Sequence, residues 1–300
     1  MKFKLLTLCF FSTFWLKAQQ SLLVDEQSIA AKELGISQLG DSILRGSTDA
    51  VRTAANSDFT TRLKNILQSP NTFDYGFDSL KNVSKIKSDD GLVRVYTWIL
   101  PTDSGRQYRY FGFVQYRNSK LKIFTTTALN DAAADTAGFL KKTLKPDNWY
   151  GALYYKMVTV KNGDQSYYTL LGWKGNNMLS TKKVVDVLYI KNKNLLFGAP
   201  ILQYEKKTQS RIVFEFNAQS SMLLHWDESG HRIVFDYLGP ANEAGTKMPE
   251  TYGATMVYDA LAWKKGKWNY THDIDIRNDE DSEKAGFTKS KKRSYYTPEK

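Results

Sequence analysis

From residue 83 onward, apolar residues recur at every second position, in short runs separated by turn residues. That period sends side chains alternately to two faces of a strand, and a helix, whose faces repeat every 3.6 residues, cannot accommodate it. The runs are LVRVYTWIL (92–100), YRYFGFVQY (108–116), LKIFTTT (121–127), ALYYKMVTV (152–160), QSYYTLLGW (165–173), KKVVDVLYI (182–190), NLLFGAP (194–200), RIVFEFN (211–217), SMLLHW (221–226), HRIVFDYL (231–238), ATMVYDALAW (254–263) and KWNYTHDIDI (267–276). Most gaps are short and hold Gly, Asn, Asp, Ser or Lys, which connects neighbouring strands as hairpins. A short helix over 135–144 interrupts the series, but no crossover-length helices alternate with the strands, which argues against a parallel α/β sheet. The expected fold is mainly β: an antiparallel meander over 81–278, curled into a barrel or split into a two-sheet sandwich, behind an N-terminal helical region over 19–80.

In that region Ser47 or Thr48 can cap a helix, and Val51, Ala55, Phe59, Leu63 and Ile66 follow at spacings of three or four. Pro70 ends the pattern. Residues 1–18 read as a secretory signal peptide: Lys2 and Lys4 precede the apolar run LLTLCFFSTFWL, and the small Ala18 suits cleavage. That run is too short to span a membrane, and an outer-membrane barrel is disfavoured because several strands carry acids or lysines on both faces, so the processed chain is not expected to span one. The one cysteine, Cys9, lies inside it. It follows Leu8 where a lipoprotein cysteine needs a small residue, so cleavage would leave a chain without disulfides or thiol chemistry. The expected location is exported: periplasmic, envelope-associated or secreted. Loss of Lys2, Lys4 and Lys17 takes the net charge from +11 to +8. A basic surface favours anionic envelope components or glycans as partners, and no specific nucleic-acid motif is present. The tail over 279–300 is charged, contains KSKKR, and lacks a core-forming period, so it is expected to be disordered.

Asn162-Gly163, between VTVK and DQSYY, is the strongest hairpin signal. With those two residues as the turn, Lys161 faces Asp164, Val158 faces Tyr167, Tyr154 faces Leu171 and Ala152 faces Trp173. LLGW (170–173) is then strand rather than a ligand-cradling loop, with the Trp173 indole over Ala152 and the glycine relieving crowding.

Three strand acids share their faces with apolar residues: Asp186 with Val184 and Leu188, Asp236 with Val234 and Leu238, and Asp259 with Val257 and Leu261. A carboxylate in that setting needs a partner. Each is either paired locally or gathered into a pocket for a polar ligand or acid–base work. With the aromatic Trp149, Tyr150 and Trp173 near a strand end, they form the candidate ligand-binding set. His225, His231 and His272 are the available imidazoles, and their spacings do not match a metal motif. No GxSxG, HExxH, Walker loop or catalytic cysteine is present, so no catalytic residue, cofactor or metal is assigned.

The segments DNWYGALYY (147–155), YTLLGW (168–173), FGAP (197–200), IVFD (233–236) and YDAL (258–261) together resemble an uncharacterised family of exported proteins from Bacteroidota. The resemblance covers most of the chain after residue 18. It implies an envelope or secreted location and carries no established activity. The functional expectation is therefore a non-catalytic binding or envelope-associated protein. The alternative is a hydrolase acting on envelope or polysaccharide material through its strand-borne carboxylates.

Overall fold

Thr48 starts a helix, as its position predicts: its Oγ1 accepts the Val51 N–H at 3.2 Å. The computed structural model describes residues 27–118, 120–132 and 136–276, and both the expected signal peptide and the tail lie outside them. Helix α1 spans 27–45 and α2 spans Asp49–Leu67. Ala55, Phe59, Leu63 and Ile66 are buried on one stripe of α2, whereas Val51, at the start of that stripe, is exposed. Pro70 opens a short 3-10 turn after the helix.

The strands are β1 (Ser84–Lys87), β2 (Val93–Thr102), β3 (Gln107–Asn118), β4 (Ile123–Asn130), β5 (Leu153–Asn162), β6 (Gln165–Gly175), β7 (Ser180–Lys191), β8 (Asn194–Phe197), β9 (Leu202–Tyr204), β10 (Lys207–Gln209), β11 (Ile212–Asn217), β12 (Leu224–Asp227), β13 (Arg232–Pro240), β14 (Tyr252–Lys264) and β15 (Lys267–Thr271). Of the helix expected over 135–144, one short turn forms, α3 (Thr136–Phe139). The fold is mainly β, and nearly every pairing is antiparallel. Instead of one barrel or two sheets it forms three sheets: β1-β2-β3-β4, then β11-β7-β6-β5 with β8 beside β7, then β10-β9-β15-β14-β13-β12. Consecutive strands pair as a meander within each sheet. The exceptions join distant segments, with β11 beside β7 and β15 running parallel to β9.

The period-two pattern decides how the layers stack. On β2, Tyr96, Trp98 and Leu100 face α1 and α2, while Val93 and Val95 face the central sheet. On β6, Tyr168 and Leu170 face the first sheet, while Leu171 faces the third. A helical layer and three sheets therefore enclose three successive cores, each built by one face of a strand. No helix among the described residues is long and apolar enough to cross a membrane.

The β5–β6 register departs from expectation in two steps. The turn residues are Gly163 and Asp164, so Asn162 pairs with Gln165 and Val160 with Tyr167. Gly163, at φ +57, takes the first central position, where a II′ turn demands a positive φ. This moves each partner by two residues and keeps every face. Then Tyr155 bulges out, and the pairing changes parity between Tyr154 and Lys156. Beyond the bulge Leu153 opposes Trp173, and Tyr154 opposes Gly172. Trp173 thus lies on the face opposite Ala152, contrary to the expected pairing. Gly172 is strand, as expected, and its missing side chain makes room for the Tyr154 ring: a Cβ there would lie 2.8 Å from Tyr154 Cδ1.

Candidate functional site

The three strand acids do not converge. Asp186, on β7, lies between the first and central sheets with no exposed surface. Its Oδ1 is 2.9 Å from Arg211 Nη2 and accepts the Val187 N–H at 2.8 Å, while Oδ2 accepts the Tyr154 hydroxyl at 2.8 Å. The Arg211 approach is an ion contact rather than a well-aligned hydrogen bond. Arg211 Nη1 donates to the Phe139 carbonyl at 2.7 Å, and the guanidinium lies over the Tyr150 ring. Trp149 Nε1 donates to the Tyr154 oxygen at 3.0 Å. Burial, reinforced by the Asp186 charge, pushes the Tyr154 phenol well up, so it acts as a neutral donor. The fold therefore brings Trp149, Tyr150 and Asp186 together, but all three have no exposed surface. They form a polar and aromatic cluster buried inside the first inter-sheet core, closed to solvent in this arrangement.

Asp236 points away from the second inter-sheet core, since its neighbours Phe235 and Ile233 enter that core. Its Oδ2 accepts the Leu223 N–H at 2.6 Å, and its own N–H donates to the Leu223 carbonyl at 3.2 Å. It fixes the chain entering β12. Trp173 is half-buried, with its ring edge-on to Tyr108 at 5.5 Å between centroids. Both residues serve packing and main-chain pairing at these positions.

Asp259 has the most chemical setting of the three. It is fully buried on the inner face of the third sheet, opposite Phe235. Oδ2 accepts the Tyr270 hydroxyl at 2.7 Å, and Oδ1 lies 2.7 Å from His272 Nδ1 and accepts the Asp273 N–H at 3.2 Å. Burial and the Asp259 bond push the Tyr270 phenol up. Half of the His272 side chain is exposed, with the Tyr237 ring edge-on at 4.9 Å. The sequence links His272 to its neighbours Asp273 and Asp275, but only the β14–β15 pairing brings Asp259 to it. His225 and His231 flank the β12–β13 turn, and His231 contacts the Trp226 ring. Among the described residues, no three His, Cys, Asp or Glu side chains gather as metal ligands.

Sequence reasoning missed a cleft of about 500 Å³ between the first and central sheets. Tyr116 on β3 and Thr125 and Thr127 on β4 line one side, and the β7–β8 hairpin, residues 190–196, lines the other. Lys145 and Pro146 close one end. Asn192 and Lys193 both have positive φ, 50° and 65°, which is the I′ turn that a two-residue hairpin favours. Lys145, Lys191 and Lys193 are exposed at the cleft. The lysines held in ion pairs are Lys87, Lys156, Lys174 and Lys182, whereas these three have no such pair among the described residues. Three ammonium groups without ion pairs, together with hydroxyl and amide side chains, give the cleft a positive, hydrogen-bonding lining that also includes the apolar Val114 and Ile190. The run KNKN (191–194) is visible in the sequence as a turn, but its meeting with Lys145 is not.

Comparison with known proteins yields no match: no family model, no curated protein and no solved structure matches this chain.

Proposed function

We propose that this chain is an exported, non-catalytic binding protein whose lysine-rimmed cleft takes an anionic ligand. The observation that carries the reading is the convergence of Lys145, Lys191 and Lys193, none ion-paired among the described residues, on one cleft of about 500 Å³. That volume falls in the range of ligand sites, which combine apolar walls with a few polar groups. Export rests on the Lys2–Ala18 pattern and on the resemblance to exported Bacteroidota proteins, and it would place the cleft among anionic envelope components and glycans. Titration calorimetry with an acidic oligosaccharide tests the cleft. Binding should weaken with salt and fall in the Lys145→Glu/Lys191→Glu double variant; unchanged binding in that variant rules the cleft out. Mass spectrometry of the protein from its native cell tests export: the mature chain should begin near Gln19, and an intact Met1 in the cytoplasm would sink the assignment.

The Asp259–His272 contact favours a second reading, a hydrolase. A buried carboxylate 2.7 Å from Nδ1 of a half-exposed imidazole orients the ring and leaves Nε2 as a surface acid–base group. Turnover of an envelope polysaccharide, lost in His272→Gln with thermal stability unchanged, would favour it over the binding reading.

A further inference from the structure

β4 is an edge strand, paired with β3 along its length and met on its outer side at its Asn130 end by Trp149 and the 146–148 turn. Its outward main-chain groups can be assigned. Trp149 bridges to Asp131 in parallel: its N–H donates to the Asn130 carbonyl at 3.0 Å, and its carbonyl accepts the Ala132 N–H at 2.8 Å. Even-numbered residues at this end therefore direct N–H and C=O away from β3. The β3–β4 register continues without a shift from Asn130 back to Ile123. By the same alternation, Phe124, Thr126 and Ala128 present their N–H and C=O groups outward. Those six groups have no partner among the described residues.

Exposed edges are normally blunted by charge, proline, a bulge or shortness. The other edge strands carry such devices. β1 has Lys85 and Lys87, β5 has Lys156 and the Tyr155 bulge, β10 has Lys207, β11 has Glu215, β12 has Asp227, and the uncharged β8 is only four residues long. β4 reads IFTTTALN over eight residues, with no charge, proline, glycine or bulge. Its β-branched residues favour an extended backbone. Thr125 and Thr127, which alternate with the outward groups, line the lysine-rimmed cleft.

We infer that the partner is an acidic peptide in extended conformation, which adds to the edge of β4 as a further strand. Its main chain pairs with Phe124, Thr126 and Ala128, and alternate side chains enter the cleft beside Lys145, Lys191 and Lys193. Main-chain pairing supplies binding independent of sequence, and the lysines select carboxylates at every second position. The inference rests on the cleft reading above and goes further by fixing the chemical class of the occupant.

Fluorescence anisotropy with the full chain tests it. The probe is a labelled ten-residue peptide of alternating aspartate and valine, and its lysine–valine counterpart is the control. The aspartate peptide should bind and the lysine peptide should not. Thr126→Pro removes an outward N–H that no strand uses, and should weaken binding at least about tenfold. Lys145→Glu/Lys191→Glu should weaken it by a similar factor, with a reduced salt dependence. Circular dichroism melts screen both variants for folding. If Thr126→Pro does not fold, a peptide N-methylated at alternate amides replaces it, and that peptide should fail to bind the wild type. Peptide binding that needs the lysines but ignores both edge perturbations overturns the strand-addition inference and leaves the cleft reading standing. Binding of an acidic oligosaccharide but not of the peptide does the same. A β4-dependent dimer in sedimentation that excludes the peptide overturns the inference in favour of a second copy. No binding of either anion overturns both.

Discussion

Asp186 and Arg211, both without exposed surface, meet at 2.9 Å between the first and central sheets. Arg211 precedes β11 and Asp186 lies on β7, so the contact accompanies the pairing of two strands that are not consecutive. Removal of one partner strands a buried charge, which costs about 3–5 kcal/mol. Asp186→Asn and Arg211→Met should each lower stability on that scale in urea unfolding, and the double variant should lose less than the sum of the two. Additive losses would mean that the pair is not coupled.

Trp268 and Trp173 should separate in the same assay. Trp268 is fully buried, and its Nε1 donates to Thr169 Oγ1 at 2.9 Å across the second inter-sheet core. Trp268→Ala should cost about 3–5 kcal/mol. Trp173 is half-buried beyond the Tyr155 bulge, so Trp173→Ala should cost clearly less. Equal losses would place the Trp173 ring in the core, against the observed register.

Lys174 supplies a pH dependence. Its Nζ donates to the Tyr150 and Gly151 carbonyls at 3.0 and 2.7 Å and lies 3.7 Å from Asp131. Burial lowers its pKa from 10.5 to about 8, despite the Asp131 charge. Below about pH 8 both states hold the proton, and the folded state bears the cost of burying the charge. From about pH 8 towards 10 the unfolded chain keeps a proton that the folded one has released, so this group makes stability rise with pH, by about 1–3 kcal/mol. Lys174→Met should abolish that rise. Buried tyrosines act in the opposite sense at higher pH. Burial raises the Tyr96 and Tyr110 phenols above their usual 10.0, so the unfolded phenols ionise first and stability falls. Parallel urea titrations of wild type and variant isolate the lysine, and identical profiles would refute its role.

Asp259 receives three hydrogen-bonding groups, from Tyr270, His272 and Asp273. Asp259→Asn leaves fewer acceptor sites for them and should cost about 1–3 kcal/mol. His272→Gln, at a half-exposed position, should change stability by less than about 1 kcal/mol. If His272→Gln proves as damaging as Asp259→Asn, the imidazole is a structural cap rather than a free acid–base group.

Much of the strand layout is legible in the chain. The two-residue period from residue 83 places most of the strands and sorts Tyr96, Trp98 and Leu100 from Val93 and Val95, because each face of a strand must be covered by something apolar. Thr48 and Pro70 bracket α2 for equally local reasons, a cap and a missing donor. Three-residue strands such as β9 and β10 pass below that signal, since they hold barely one period.

The rest was decided by tertiary structure. The pairing of β11 with β7 and of β15 with β9 depends on how distant surfaces fit, and it makes three sheets where local pattern allowed one or two. One bulged residue, Tyr155, changes the parity of everything beyond it, so the partner of Trp173 could not be counted from the turn. Whether an acid on an apolar face is a sealed knot or an exposed group depends on its partner. Asp186 found Arg211, and Asp259 found His272, through contacts between strands rather than along one. The cleft is the same kind of object. Lys145, Lys191 and Lys193 are ordinary surface lysines in the sequence, and only the stacking of the first sheet on the central one gathers their charge around a single cleft.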